Sequence, residues 1–89
     1  MSRHPAPYAR YSREDDILYV RLRDEPIART GETNPWTNID LAADGSVVAM
    51  EFVNVASEGV DLSDVPEREA VERLIRQTDL QLPAPVRGL

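Results

Sequence analysis

Residues 36–53 read WTNIDLAADGSVVAMEFV, two apolar runs on either side of an Asp-Gly pair. Asp44 and Gly45 suit a tight β-hairpin, because glycine readily adopts the positive φ angle that such a turn requires. Every second residue from Thr37 to Leu41 is apolar or β-branched, which is the period of a strand. The pattern therefore predicts two antiparallel strands joined by this turn, the first over residues 36–41 and the second over residues 47–55.

Two further strands are predicted before the hairpin. Residues 17–23 are rich in β-branched and aromatic side chains, and the run ends at Pro26, which cannot donate a hydrogen bond to a sheet. A shorter strand is expected over residues 27–33, which makes a four-stranded antiparallel meander. Alternation assigns one buried face to Leu18, Val20, Leu22, Ile39, Leu41, Val48, Met50 and Phe52. The opposite face is assigned Val47, Ala49, Glu51 and Val53.

After the strands the hydrophobic period changes to that of a helix. Between Pro66 and Gln77, a single apolar stripe comprises Ala70, Val71, Leu74 and Ile75. Pro66 suits the first helical position. Ser63 and Asp64 both stand where N-capping residues are found, and the sequence does not decide between them. The predicted fold is α+β, a four-stranded meander with one C-terminal amphipathic helix packed on one face.

The domain boundaries follow from where these patterns begin and end. Residues 1–10 contain two prolines and no hydrophobic period, which indicates a flexible lead-in. Residues 11–82 are predicted to form a single domain, and residues 83–89 a C-terminal tail.

Composition limits the classes of function. The 89 residues are 42% apolar and 29% charged, as in an ordinary globular domain. There is no cysteine, which excludes disulfides and thiolate chemistry, and a net charge of −6 opposes nucleic-acid binding. No signal-peptide-like segment and no run of about 20 apolar residues occurs, so we expect a cytoplasmic protein with no membrane partner.

Three segments carry a family resemblance: residues 11–22 (YSREDDILYVRL), residues 38–45 with NIDL and Asp-Gly, and residues 47–52 (VVAMEF). Together they resemble a bacterial family of small proteins designated domain of unknown function 2283, over about residues 11–57. The resemblance implies the antiparallel strands and no established activity. Some proteins of this kind are thought to be encoded beside small toxin-like proteins, so it implies at most an antitoxin role.

Carboxylates are the first candidate for chemistry, since paired acids can exchange protons or bind a hard cation. The acids considered are Asp15, Asp16, Asp40, Asp44 and Glu51. Three of them fall in predicted turns and none has the spacing of a calcium loop, so a structural role is favoured. His4 is the single histidine and lysine is absent, which argues against histidine catalysis and a phosphate-binding loop. No metal or cofactor is predicted.

The second candidate is a binding face on the side of the sheet that the helix leaves open. Its predicted members are Tyr19, Arg21, Trp36, Asp40, Glu51 and Val53. Arg21 is expected to form an ion pair across the strands with Asp40 or Glu51. Trp36 suits two positions equally, an exposed anchor for a partner or a cap on the core.

These observations favour a non-enzymatic protein-interaction module, of which an antitoxin-like role toward a small basic protein is one form. The alternative is a small-ligand binder, or a weak acid–base enzyme, that uses Asp40 and Glu51. One helix, about 10 Å across, cannot cover a sheet about 15–20 Å wide. We therefore expect the open face to be buried in a two-fold homodimer.

Overall fold

Five antiparallel strands form the central sheet of the computed structural model, which describes residues 5–88. They are β1 (Tyr8–Ser12), β2 (Ile17–Arg21), β3 (Arg29–Asn34), β4 (Thr37–Leu41) and β5 (Val47–Val53), in the order β1-β2-β5-β4-β3. The chain continues through α1 (Val55–Glu58), β6 (Val60–Asp61), α2 (Arg68–Thr78) and β7 (Val86–Arg87). Strands β6 and β7 form a small parallel sheet. The predicted α+β class is confirmed.

The meander itself needs correction, because the sheet contains one strand more than was predicted. Strand β1 pairs with β2 along its whole length, from Tyr8 opposite Arg21 to Ser12 opposite Ile17. Strand β2 then lies beside β5, so the chain crosses to the far edge of the sheet before β3, β4 and β5 return as a meander. The four predicted strands agree with β2 to β5 within two residues at each end, and the single predicted helix is accompanied by the short α1.

The hydrophobic core lies between one face of the sheet, here called the inner face, and the helical segments. Leu18 and Val20 pair with Phe52 and Met50, and all four are buried. The core cluster comprises Ala9, Leu18, Val20, Ile39, Val47, Met50, Phe52, Val55, Val60, Leu62, Val65, Val71, Leu74 and Ile75. The predicted packing of the apolar stripe of α2 on this face is therefore confirmed for Val71, Leu74 and Ile75, whereas Ala70 lies outside the cluster.

A β-bulge in β5 reverses the predicted faces of two neighbouring valines. Asp40 pairs with Ala49 but Leu41 pairs with Val47, so Val48 is an extra residue. Val47 joins the core, whereas Val48 belongs to a small cluster on the opposite, outer face that comprises Ala42, Val48, Ala49 and Tyr19. Alternation predicted the reverse for both valines, because an inserted residue inverts the phase of the strand beyond it.

The start of α2 also differs from the prediction. The helix begins immediately after Glu67, which has a left-handed backbone (φ 56°) and makes no side-chain capping bond. Its carboxylate oxygens accept hydrogen bonds from Arg23 instead, at 2.9 and 3.2 Å. Neither Ser63 nor Asp64 is the capping residue, and Pro66 precedes the helix rather than opening it.

Strands β1 and β7 include residues that the sequence assigned to the lead-in and the tail. Residues 8–10 belong to β1, and Leu62 N–H donates to the Arg87 carbonyl oxygen at 2.8 Å beside β7. Residues 1–4 and Leu89 lie outside the described residues, so the predicted flexibility of the ends stays a prediction. Within residues 5–88, neither helix has the length and apolar character needed to cross a bilayer.

Candidate functional site

Five of the six predicted site residues lie in strands on the outer face of the sheet. Tyr19 and Arg21 belong to β2, Glu51 and Val53 to β5, and Asp40 to β4. In the register, Tyr19 is opposite Glu51, while Asp40 is opposite Ala49. The two predicted carboxylates are therefore diagonal neighbours on adjacent strands rather than a directly opposed pair.

An aromatic and cationic cluster extends this face onto β1. The rings of Tyr8 and Tyr19 are 6.0 Å apart between centroids and are tilted by 50°. The Arg10 guanidinium lies 5.8 Å from the Tyr19 ring centre, and Arg21 Nη1 donates to the Tyr19 hydroxyl at 3.1 Å. Sequence reasoning missed Tyr8 and Arg10 because residues 1–10 were assigned to the lead-in. The alternation of residues 8–11, YARY, was the available signal.

Arg21 does not form the predicted ion pair with Asp40 or Glu51. Besides its bond to Tyr19, its Nε donates to the Arg23 carbonyl oxygen at 3.0 Å and its Nη2 to that of Glu25 at 2.9 Å. The bond to Tyr19 is the main cause of the raised pKa of Arg21. Arg21 therefore binds the segment that follows β2, and its guanidinium makes its hydrogen bonds within the chain rather than with Asp40 or Glu51.

A shallow cavity of about 200 Å³ lies at the β1 side of the outer face. Its lining residues are Arg10, Ser12, Asp15, Ile17, Tyr19 and Glu51. The Ser12 hydroxyl donates to Asp15 at 3.2 Å, so this carboxylate is already engaged in its turn. Asp40 does not line the cavity; it accepts a hydrogen bond of 2.6 Å from Thr30. Of the two carboxylates that line the cavity, Glu51 is therefore the one that lies in a strand.

Trp36 lies in the turn between β3 and β4 rather than in a strand, and its side chain is 41% exposed. Its N–H donates to Asn34 Oδ1 and its carbonyl oxygen accepts from Val53 N–H, both at 2.9 Å. Trp36 borders a cavity of about 230 Å³ whose other lining residues are Asn34, Thr37, Glu58, Gly59, Asp61 and Arg87. It therefore stands at the end of the sheet, next to the β6–β7 pair.

The remaining candidate carboxylates have structural roles. Asp16 accepts a 2.5 Å hydrogen bond from the Tyr11 hydroxyl and bonds of 3.1 Å from Ala56 N–H, which ties the β1–β2 turn to α1. Asp44 accepts from Ser46 N–H and Oγ–H in the hairpin, and these bonds lower its pKa. Within residues 5–88, His, Cys, Asp and Glu side chains form no group of three or more that could hold a metal ion.

Comparison with known proteins places the sheet in a family. No curated protein and no solved structure matches the chain. One family model matches residues 9–55, which is just over half of the chain and spans nearly all of the five-stranded sheet but not α2. The chain therefore belongs to the family described as "Protein of unknown function (DUF2283)".

Proposed function

We propose that the chain is a non-enzymatic protein-interaction module that contacts its partner through the outer face of the five-stranded sheet. The observation that carries this proposal is the one-sided distribution of the core. Both helices, and the strand β6 between them, contribute residues to the cluster on the inner face. Among the described residues, the outer cluster has no member from these elements. Ala42, Val48 and Ala49 are themselves buried within the chain, so the apolar area that this face leaves free belongs to the half-buried side chains around them.

The side chains on this face have the chemistry of a contact surface. Ile17, Val53, Tyr8 and Tyr19 are all half-buried, so they retain apolar area that a partner can cover. Tyrosine and arginine are enriched in the buried centre of protein interfaces, and Arg10 already packs beside Tyr19. These residues form the centre of the proposed contact.

A second copy of the chain is the partner that we propose for the outer face. This surface carries both a cationic and an anionic side chain, Arg10 on β1 and Glu51 on β5, on either side of Tyr19. A two-fold interface brings the same patch of both copies together, and a patch of mixed charge can complement itself. An antitoxin-like role, in which the chain binds a small basic protein, is a further form of the proposal, supported by the net charge of −6.

Light scattering coupled to size exclusion tests the homodimer. At tens of micromolar we expect twice the chain mass of 10.0 kDa. Tyr19→Glu and Val53→Glu should each give the monomer mass with an unchanged circular dichroism spectrum, because a buried unpaired carboxylate weakens an interface. Ala43→Glu adds the same charge at the exposed hairpin and should leave the dimer intact. A wild-type monomer at this concentration would refute the proposed homodimer.

The small-ligand alternative is favoured by one observation, the cavity of about 200 Å³ beside Glu51. A carboxylate in such a cavity suits a small cation, for example a primary amine. A thermal-shift screen of amines on wild type and Glu51→Gln tests this reading, because a ligand that binds the folded state raises its melting temperature. Stabilisation that depends on Glu51 would favour the ligand binder over the interaction module.

A further inference from the structure

The C-terminal segment lies in a groove beside β6 as an added strand. Val86 pairs with Val60 and Arg87 with Asp61, in parallel. Leu62 N–H donates to the Arg87 carbonyl oxygen at 2.8 Å, and Val86 packs against the core. A bound peptide adds to a sheet edge in the same way, with main-chain hydrogen bonds for affinity and side-chain contacts for selectivity.

The groove holds a guanidinium. Arg87 Nη1 donates to the Glu58 carbonyl oxygen at 2.7 Å, and a side chain at Gly59 would collide with the same nitrogen. Asp61 stands next to it: two hydrogen bonds from Ser63 hold the pKa of Asp61 below its ordinary value, and the charge of Arg87 acts in the same direction. The Glu58 carbonyl oxygen and the position free of side chain at Gly59 accommodate the arginine, and the Asp61 carboxylate adds a negative charge nearby without forming an ion pair with it.

The groove continues into open space beside an exposed aromatic ring. The cavity of about 230 Å³ is bordered by Trp36 as well as by Glu58, Asp61 and Arg87. Tryptophan is the aromatic residue best suited to contact a cation, and it is enriched where proteins bind each other. The chain's own arginine therefore leaves room for a further contact at this site.

We propose that this groove binds an extended basic segment of a partner protein, and that Val86 and Arg87 occupy it in the isolated chain in place of that segment. Strand β7 has two residues, against five to seven in the strands of the main sheet, and it follows Pro83 and Pro85. So short a pairing opens at less cost than the strands of the main sheet. The net charge of −6 also favours a basic partner.

The fit of the chain's own segment defines what such a partner must supply. An aliphatic residue takes the place of Val86 against the core, and arginine follows it. The next residue is glycine, because Gly88 has φ 87° and a side chain there would collide with Ser63 N and Asp61 Oδ1. The recognised sequence is therefore aliphatic-Arg-Gly. This site is separate from the outer face, so it depends on an interaction role but not on the proposed dimer.

The experiment uses a synthetic peptide with blocked ends that copies residues 82–88, LPAPVRG, and the full-length chain. Trp36 is the single tryptophan of the chain, so its fluorescence reports binding at this site. We expect Arg87→Ala to bind the peptide at least about tenfold more tightly than wild type, because the competing internal segment is weakened. A peptide with Glu in place of Arg should not bind. Arg87→Gln serves as a second variant if Arg87→Ala does not fold.

Asp61→Asn, introduced together with Arg87→Ala, should weaken peptide binding while it keeps the oxygen that accepts from Ser63. Asp64→Asn is the matched control outside the groove and should have no effect. Equal affinity for the Arg and Glu peptides, or no binding by either Arg87 variant, would overturn the proposal. So would peptide binding that converts a wild-type dimer to monomers, since the groove would then hold the tail of a second copy. Tyr19→Glu should leave peptide affinity unchanged, which separates this test from that of the outer-face dimer.

Discussion

Replacement of Leu18 by alanine tests the assignment of the inner face most directly. Leu18 is fully buried and pairs with Phe52 at the centre of the sheet. The substitution removes three buried carbon groups, each worth about 0.8 kcal/mol, and so costs about 2.4 kcal/mol before any effect of the cavity. Incomplete collapse around the cavity raises the expected loss to about 3–5 kcal/mol. The whole stability of a chain of this length is about 4–13 kcal/mol.

Urea denaturation followed by circular dichroism measures this loss. The matched control is Ile17→Ala, the preceding residue of β2, which points to the outer face and is half-buried. Because Ile17 lies in the proposed dimer contact, both substitutions are compared in the Tyr19→Glu background, which is expected to be monomeric. We expect about 1 kcal/mol from the control. In a domain of this size, 1 kcal/mol corresponds to about 4–8 °C in melting temperature, so Leu18→Ala should melt at least about 10 °C below the Tyr19→Glu parent. Equal losses in the two variants, or a larger loss at Ile17, would refute the assignment of the faces.

Three further outcomes are expected. Val20→Asp should abolish the cooperative unfolding transition, because an unpaired carboxylate would replace a fully buried side chain; a melt close to that of wild type would contradict this. Gly59→Ala should lower the free energy of unfolding by about 1–3 kcal/mol, because φ is 72° and the new side chain would collide with Arg87. The control, Gly31→Ala, places its side chain where nothing lies within 4 Å and should be nearly neutral in urea denaturation. The hydrogen bond to Asp16 raises the pKa of Tyr11, so this contribution to stability is present below the ordinary tyrosine pKa, about 10, and is lost as pH rises through the higher folded value. An ultraviolet titration of the wild type should show one tyrosine that ionises at a higher pH than the others. This ionisation should be missing in Tyr11→Phe, and its persistence in that variant would argue against the hydrogen bond.

Local patterns predicted the strands and the hairpin because those features depend on neighbouring residues. Asp44 is a turn residue that binds Ser46, and Gly45 has φ 89°, as the Asp-Gly pair indicated. The inner-face positions of Leu18 and Val20 follow from alternation alone. The bulge at Val48 could not be predicted in this way, because it depends on the pairing of β5 with β4, and no residue in the run marks it.

Sequence reasoning also missed other features that depend on contacts with distant parts of the chain. Strand β1 is as long as β2, but its alternation is confined to residues 8–11 next to two prolines, and its place in the sheet comes from its pairing with β2. The start of α2 is set by Glu67, whose carboxylate binds Arg23, a residue remote in sequence. Alternation predicted that Tyr19, Glu51 and Val53 share the outer face, but it missed Tyr8 and Arg10 of β1. Sequence reasoning did not predict the groove that holds Arg87, because this groove joins β6 to a segment that follows α2 in the chain.

The strand order β1-β2-β5-β4-β3 divides the main sheet into two units that are each local in sequence. One is the hairpin of β1 and β2, and the other is the meander of β3, β4 and β5. Each unit closes only short loops, whereas the β2–β5 seam joins residues as far apart as Ile17 and Val53. Pairing β2 with β5 therefore closes a longer loop, at a larger entropy cost, than closing either unit, and we expect the docking of the two units to be slower than the formation of each.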